Sequence, residues 1–230
     1  MKRILAFTIY ICSLSCSAPA QQKDVNTSTF QEHLATPGVQ ILDVRTAGEY
    51  QNGHIKNALQ ADWLQQEQFK DRIQYMDKSK PVMVYCASGG RSGKAATWLA
   101  QNGFTIVENL QGGFTQWKLD NKPVEGGDNT PQLTIDAYNS LTISSDVVLI
   151  DFGATWCPPC KKMEPVLADV EQSMAGKITL SKVDGGINTN IMQQLNVAAL
   201  PTFIIYKKGK EVWRKQGIVS KEELVSQLSK

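Results

Sequence analysis

The chain has 230 residues, of which 42% are hydrophobic and 20% are charged. It is therefore long enough for two modest globular domains and too apolar to be wholly disordered. Its formal charge is +2 at pH 7, and removing residues 1–20 would remove Lys2 and Arg3 but no acidic residue, which leaves a charge of 0. This balance gives no electrostatic case for nucleic-acid binding.

The first twenty residues have the order of a secretory signal peptide. Lys2 and Arg3 precede an apolar run at residues 4–11, and small residues follow up to Ala20, where we expect cleavage. The run is shorter than the roughly 20 residues that span a bilayer, so we expect an exported, soluble protein, periplasmic in a bacterium. The alternative is a lipoprotein signal that leaves the protein lipid-anchored through Cys16.

Two halves with alternating strand and helix patterns flank a polar stretch at residues 124–131, which contains glycine and proline. We expect a linker there that lets two domains move relative to each other. Short apolar runs predict strands at residues 39–44, 82–85, 105–107, 147–152, 178–183, 202–207 and 211–215. Helical patterns are expected around residues 49–50 and at 69–76, 92–102, 158–174, 190–195 and 221–228.

The five cysteines are Cys12, Cys16, Cys86, Cys157 and Cys160. Cleavage after residue 20 would leave three, which is one CxxC pair and one lone cysteine. That pattern is not a disulfide-stapled scaffold. We therefore interpret these cysteines as reactive groups rather than as structural disulfides.

Cys157 and Cys160 stand between an apolar strand and a predicted helix, with two prolines between them. Proline is favoured in the first helical turn, so Cys157 should lie at a helix N-terminus, where the helix dipole favours a thiolate. The thiolate attacks in thiol–disulfide exchange, and Cys160, one turn on and nearer the interior, can resolve the mixed disulfide. A zinc site would need two more soft ligands, and His33 and His54 lie in the other half. We therefore predict no metal site and no cofactor.

Residues 132–230 resemble the thioredoxin family. The motif Trp156-Cys157-Pro158-Pro159-Cys160 carries the resemblance, together with Asp151, Pro165, Lys182 and the segment Leu200-Pro201-Thr202.

The thioredoxin resemblance implies roles for several residues. Asp151 would be a buried carboxylate that assists proton transfer from the resolving cysteine, Lys182 would pair with it, and Pro201 would be a cis proline facing the disulfide. Trp156 would support the site. Pro158 stands where the common pattern has glycine, and residues between the cysteines tune the reduction potential.

A second candidate site follows the predicted strand at residues 82–85, and its sequence is Cys86-Ala87-Ser88-Gly89-Gly90-Arg91-Ser92. A glycine-containing loop between strand and helix can turn its backbone N–H groups toward an anion, which would stabilise a thiolate or persulfide on Cys86. Arg91 adds a fixed positive charge and a forked donor. Taken alone, the loop could also serve phosphate chemistry.

Residues 25–123 resemble the rhodanese family through this loop, Asp43-Val44-Arg45 and the segments at residues 49–58 and 109–117. The six-residue loop from Cys86 to Arg91 implies a sulfurtransferase rather than a phosphatase. Cys86 would carry the persulfide, and the substrate loop would comprise Ala87, Ser88, Gly89, Gly90, Arg91 and Ser92. The uncharged Ala87 argues against thiosulfate as the natural donor, and His54 is expected to support structure.

The expected fold class is α/β, with a rhodanese-like parallel sheet and flanking helices, followed by a thioredoxin fold. The expected divisions are a signal peptide (1–20), a rhodanese-like domain (25–123), a linker (124–131) and a thioredoxin domain (132–230).

The leading functional hypothesis is an exported thiol–disulfide oxidoreductase coupled to a sulfurtransferase, in which Cys157 and Cys160 reduce a persulfide on Cys86. In the alternatives, the two domains act separately, or the first domain is an inactive module that binds partners. Expected partners are protein disulfides or persulfides, a sulfane-sulfur donor and, if the chemistry is reductive, a membrane electron donor.

Overall fold

The computed structural model describes residues 21–127 and 131–230. The predicted signal peptide, with Cys12 and Cys16, and residues 128–130 of the predicted linker lie outside the described residues. Within those two described ranges, no helix is both long enough and apolar enough to cross a membrane.

Residues 21–127 form the N-terminal domain. Its strands are β1 (Gln21–Val25), β2 (Gln40–Asp43), β3 (Leu59–Gln60), β4 (Val82–Tyr85) and β5 (Ile106–Leu110). They form one sheet in the order β1-β5-β4-β2-β3, and every neighbouring pair is parallel. The helices are α1 (Thr27–His33), α2 (Ala47–Gln51), α3 (Gln66–Ile73), α4 (Gly90–Gln101) and α5 (Gly113–Leu119). β1 lies at the start of this sheet, earlier than the predicted domain start at residue 25.

Residues 131–230 form the C-terminal domain. Its strands are β6 (Val147–Gly153), β7 (Thr179–Asp184), β8 (Thr202–Lys207) and β9 (Lys210–Gln216). They form a mixed sheet in the order β7-β6-β8-β9, in which β6 and β7 are parallel and the other pairs are antiparallel. The helices are α6 (Ile135–Thr142), α7 (Pro158–Ser173), α8 (Thr189–Gln194) and α9 (Lys221–Ser229). The predicted α/β class, with a parallel sheet followed by a thioredoxin fold, is confirmed.

The apolar runs located the central strands, because strands covered on both faces read as continuous hydrophobic segments. All four residues of β4 are buried. The structure also contains β1, β3, α1, α5 and α6, which the sequence did not predict. β1 is polar and mostly exposed, so its sequence contains no apolar run. α1 and α6 begin at side-chain caps, where Asn26 accepts from the Thr29 N–H and Thr134 from the Ala137 N–H.

At the carboxyl edge of the N-terminal sheet, one residue from each of three neighbouring strands lies side by side. Asp43 on β2 is level with Tyr85 on β4 and with Gln60 on β3. Since neighbouring strands lie about 4.8 Å apart, the backbones of Tyr85 and Gln60 are about 10 Å apart. Cys86 directly follows Tyr85, so this edge places the lone cysteine near the end of β3.

Candidate active site

Cys157 is the N-cap residue of α7, and it forms a disulfide with Cys160 with the two Cα atoms 5.2 Å apart. Cys157 Sγ lies 3.3 Å from the backbone nitrogen of Cys160, from which it accepts a hydrogen bond. Pro158 and Pro159 occupy the first helical turn, as the sequence predicted, and Pro165 lies inside the helix. After reduction, the same N–H and the helix dipole would stabilise a thiolate on Cys157.

The prediction that Cys160 lies nearer the interior was wrong. Cys157 is 0% exposed, whereas Cys160 is 9% exposed. A cysteine that exchanges with other proteins has to be reachable by their sulfur atoms. Cys157 is the more buried of the two cysteines because the N-terminal domain lies against both of its chain neighbours, Trp156 and Pro158.

The first of these neighbours is Trp156, which contacts three elements of the N-terminal domain. Its carbonyl oxygen accepts a hydrogen bond from the backbone nitrogen of Gln60 at 2.8 Å. The guanidinium carbon of Arg72 lies 5.0 Å from the centre of a Trp156 ring, and the Tyr50 ring centre lies 5.7 Å away. A Cβ on Gly186 would come within 2.9 Å of the indole, so glycine at this position leaves room for it.

The second neighbour is Pro158, which lines a cavity of about 350 Å³ between the domains. Ile41, Leu59 and Met76 of the N-terminal domain line the same cavity. Both sides of Cys157 therefore face that domain. The CxxC site is an interdomain site in this structure.

Part of the predicted linker is bound to the N-terminal domain. His54 and Glu125 exchange two backbone hydrogen bonds of 2.7 and 2.8 Å, and the Gly127 nitrogen donates to the Gln51 carbonyl at 2.9 Å. Residues 125–127 of the predicted linker are therefore held against the N-terminal domain. The His54 ring stacks on Tyr50 with 3.7 Å between centres, which fits the structural role expected for it.

Asp151 is 8% exposed on β6. Burial raises the pKa of its carboxyl group to about 6, although the charge of Lys182 lowers this pKa. Lys182 occupies the facing register position on β7. The Leu200–Pro201 peptide bond is cis, which is the form that the thioredoxin resemblance implied.

Cys86 is 1% exposed and lies in the loop that leads into α4. Its Sγ accepts a hydrogen bond from the Gly89 nitrogen at 3.1 Å, and the Ser92 hydroxyl oxygen lies 3.3 Å away. Burial raises the pKa of the Cys86 thiol, but hydrogen bonds from Ser92 and from the Ser88 and Gly89 backbones outweigh it, so the pKa is lowered. The loop therefore favours a sulfur anion.

The N-terminus of α5 supports the Cys86 loop. The Phe114 nitrogen donates to the Cys86 carbonyl at 2.8 Å, and the Thr115 nitrogen donates to the Ala87 carbonyl at 3.0 Å. Gly113 has a φ of +60°, and a Cβ there would lie 2.5 Å from the Cys86 oxygen. This position requires glycine, because the two backbones approach too closely for a side chain.

The forked guanidinium of Arg91 is bound to Glu49, so it does not serve as a free donor to a ligand in this structure. Arg91 Nη1 and Nη2 donate to the two Glu49 oxygens at 2.9 and 2.6 Å, and the hydrogen bond from Arg91 lowers the pKa of Glu49 to about 2. Glu49 was not among the predicted site residues. The pattern Thr46-x-x-Glu49 predicts a capping box, which is present, but gives no sign of the Arg91 contact.

The interdomain contacts of Tyr50, Gln60 and Arg72 were also missed. Arg72 did leave a signal in the sequence. It falls on the same helical face as Phe69 and Ile73 of α3, which are both buried, and a cation on an apolar face needs a specific partner. Here it lies over the aromatic ring of Trp156.

Two family models match the chain: Thioredoxin over residues 129–230 and Rhodanese-like domain over residues 26–120. The chloroplastic thioredoxin Y of Oryza sativa is 38% identical over 96 residues, which are 41% of this chain and 57% of that protein. This chain thus spans little more than half of that relative. A thioredoxin of Chlamydia trachomatis is 40% identical over 89 residues, which are 39% of this chain and 86% of that protein.

Among solved structures, a rhodanese-related protein from Thermoplasma volcanium is 27% identical, with a TM-score of 0.40. The match covers 45% of this chain and 97% of that protein.

Proposed function

Because this chain belongs to the thioredoxin family through its C-terminal domain, which follows a rhodanese-like domain, we propose that it is a thiol–disulfide oxidoreductase acting through Cys157 and Cys160. The observation that carries the proposal is the position of Cys157 at the N-cap of α7, with its sulfur accepting the Cys160 N–H. That environment stabilises the attacking thiolate.

The reaction begins with the reduced pair. The Cys157 thiolate attacks one sulfur of a substrate disulfide, which forms a mixed disulfide and releases one substrate thiolate. The Cys160 thiol then loses its proton and attacks Cys157 Sγ, which forms the internal disulfide and releases the second substrate thiolate. Two electrons pass from the pair to the substrate. Asp151, with a pKa of about 6, is suited to accept the Cys160 proton near neutral pH.

We also propose a sulfur-carrying role for Cys86. Its sulfur accepts hydrogen bonds from the Gly89 nitrogen and the Ser92 hydroxyl, and the backbone N–H groups of Ser88 and Ser92 also lower its pKa. A thiolate held in this way can take the outer sulfur of a sulfane donor, because the donor leaves with the electron pair of the broken S–S bond. The product is a persulfide on Cys86, and the donor is released as its thiolate or sulfite.

The row from Tyr85 through Asp43 to Gln60 supports a coupled reaction, since Cys86 follows Tyr85 and Gln60 binds Trp156. Reduced Cys157 attacks the outer sulfur of the Cys86 persulfide, which leaves a Cys86 thiolate and a persulfide on Cys157. Cys160 then attacks Cys157 Sγ, forms the internal disulfide and releases hydrosulfide. The pair loses two electrons, and the sulfane sulfur gains them.

Insulin reduction with dithiothreitol tests the oxidoreductase activity. We expect turnover in the wild type and in Cys86→Ser, and loss of turnover in Cys157→Ser. Equal turnover in Cys157→Ser contradicts the proposed activity. The reduction potential of the pair then gives the direction of electron flow, where about −270 mV indicates a reductant and about −120 mV an oxidant.

The alternative function makes the rhodanese-like domain an inactive module that binds partners. Production of thiocyanate from a sulfane donor and cyanide separates the two, because it needs a transferable sulfur on the protein. A sulfur carrier produces thiocyanate, and Cys86→Ser does not. A binding module produces none in either form.

Export is a further part of the proposal, motivated by the signal-like order of residues 1–20. A fusion of these residues to alkaline phosphatase, which needs an oxidising compartment, should be active in a bacterial host. An inactive, cytoplasmic fusion contradicts export. Labelling with radioactive palmitate, compared with Cys16→Ser, decides between cleavage after Ala20 and a lipid anchor on Cys16.

A further inference from the structure

We propose that Arg72 is a positioning residue that holds Trp156 against the rhodanese-like domain, so that Cys157 is directed to the sulfur on Cys86 and shielded from external thiols and disulfides. The proposal rests on the proposed function for its internal substrate. The shielding of the Cys157–Cys160 disulfide from external thiols does not depend on sulfur transfer and can be measured without it.

Arg72 acts on Trp156 in two ways. Its guanidinium lies over the indole at 5.0 Å. Its Nη1 also donates to the Gln60 carbonyl at 3.0 Å and to the Gln60 side-chain oxygen. The Gln60 nitrogen in turn donates to the Trp156 carbonyl at 2.8 Å. One buried cation therefore supports both the ring contact and the backbone contact of the residue before Cys157.

The charge of Arg72 makes this contact reversible. Arg72 is 7% exposed, and burial lowers its pKa to about 10, so it stays cationic at neutral pH. Taking a cation out of water is costly, and the face of an aromatic ring recovers part of that cost. When the domains separate, water solvates Arg72 again and offsets the lost Trp156 contact.

Shielding follows from the burial of Cys157. With Cys157 at 0% exposure, a reductant cannot reach its sulfur in the docked arrangement. Dithiothreitol reduces the pair by giving two electrons, becoming a cyclic disulfide while the Cys157–Cys160 bond breaks. Attack on Cys157 must wait for opening, and Cys160 is only 9% exposed. Transfer from Cys86 benefits from docking, because docking holds Trp156 at the sheet edge that also carries Cys86.

The test compares full-length wild type with Arg72→Met, and Lys70→Met is the matched control. Lys70 is on the same helix, and its side chain is 50% exposed. The first readout is the rate at which dithiothreitol reduces the Cys157–Cys160 disulfide, followed by acid quenching and mass spectrometry of alkylated peptides. The second is single-turnover sulfide release after the reduced protein is mixed with less than one equivalent of inorganic polysulfide.

We expect Arg72→Met to raise the dithiothreitol rate about five- to thirty-fold, the factor expected from losing a desolvated cation–π contact. We expect it also to slow sulfide release, and Lys70→Met to change neither rate by more than about two-fold. A general loss of structure would have the same two effects, so the rates are compared only after urea denaturation shows that Arg72→Met is folded under the assay conditions. An unchanged dithiothreitol rate in folded Arg72→Met overturns the proposal.

Arg72→Lys keeps the cation but lacks the forked donor, and it serves if the Met variant does not fold. We expect an intermediate dithiothreitol rate for it, and a wild-type rate overturns the proposal. If the wild type itself releases no sulfide, the coupled function fails and direction toward Cys86 fails with it. The dithiothreitol rates then decide whether Arg72 shields the disulfide.

Discussion

Glu49 and Tyr50 are consecutive residues of the five-residue helix α2, and each contacts a different reactive loop. Glu49 binds Arg91 of the Cys86 loop through two hydrogen bonds. Tyr50 packs against Trp156, which precedes Cys157. The helix therefore links the two sulfur sites through adjacent side chains. A change in charge at the Cys86 loop therefore alters the Glu49–Arg91 ion pair. Glu49 belongs to the same short helix whose Tyr50 packs against Trp156.

Glu49→Gln should make Cys86 react faster with anionic reagents. The substitution removes the carboxylate that neutralises Arg91, so the positive charge beside the Cys86 loop increases. The measurement is the ratio of alkylation rates with iodoacetate and with iodoacetamide, which differ in charge. We expect this ratio to rise about two- to ten-fold and to fall again at high salt.

Glu67→Gln is the matched control, because the Glu67 side chain is 94% exposed and pairs with Lys70 on α3. Its iodoacetate to iodoacetamide ratio should equal that of the wild type. A ratio that is unchanged in Glu49→Gln would show that Arg91 does not act on the charge at Cys86.

Ser92→Ala should raise the pKa of Cys86. Burial already raises this pKa, and the Ser92 hydrogen bond is the largest effect that lowers it. The profile of Cys86 alkylation rate against pH should therefore shift to higher pH, with slower alkylation at neutral pH. Thr97→Ala removes an exposed hydroxyl from the same helix and should leave the profile in place. A common profile for both variants would contradict a role for the Ser92 hydroxyl.

Gly113→Ala should disrupt the Cys86 loop. A Cβ at this position would lie 2.5 Å from the Cys86 oxygen and 2.7 Å from the Ser88 nitrogen. We expect a loss of about 2 kcal/mol or more in the free energy of unfolding, measured by urea denaturation. Gly48→Ala is the control, since a Cβ there meets no atom within 4 Å. Wild-type stability in Gly113→Ala would contradict the described contact between α5 and the loop.

Asp151→Asn should stabilise the oxidised protein at neutral pH. Burial raises the Asp151 pKa from 3.8 to about 6, so between these values the folded state holds a proton that the unfolded state has lost. The free energy of unfolding therefore falls as pH rises through this window and stays lower above it. A shift of about 2 units corresponds to about 3 kcal/mol, which is the largest gain expected from the substitution.

Urea denaturation at about pH 7.5 and about pH 4 measures this effect, because the gain should approach zero below the window. Asp169→Asn replaces a carboxylate that is 63% exposed on α7, and it should stay within about 0.5 kcal/mol of the wild type at both pH values. An Asp151→Asn variant that is less stable at about pH 7.5 than the wild type would contradict the burial effect.

The two sulfur sites could be predicted because their chemistry depends on neighbouring residues. The prolines after Cys157 and the glycines after Cys86 both indicate helix N-termini, and α7 and α4 begin there. The apolar runs likewise located the central strands. Local sequence is informative in these cases because backbone geometry and charge act over a single turn.

The docking of the domains could not be predicted in the same way. The Gln60 contact with Trp156 is made by two backbone atoms. Such a contact does not depend on residue type, so the sequence does not indicate it. Arg72 did stand out on an apolar helix face, but its partner lies 84 positions away in the sequence. The burial of Cys157 follows from this docking, which is why the expectation that Cys160 is the deeper cysteine was wrong.

Single-turnover sulfide release most directly tests whether the two sites work together. Reduced protein is mixed with less than one equivalent of inorganic polysulfide, and sulfide is measured in wild type, Cys86→Ser and Cys157→Ser. We predict that the wild type releases sulfide as the Cys157–Cys160 disulfide forms, and that both variants release it about 100-fold more slowly or not at all. Release at the wild-type rate from either variant would contradict transfer from Cys86 to Cys157.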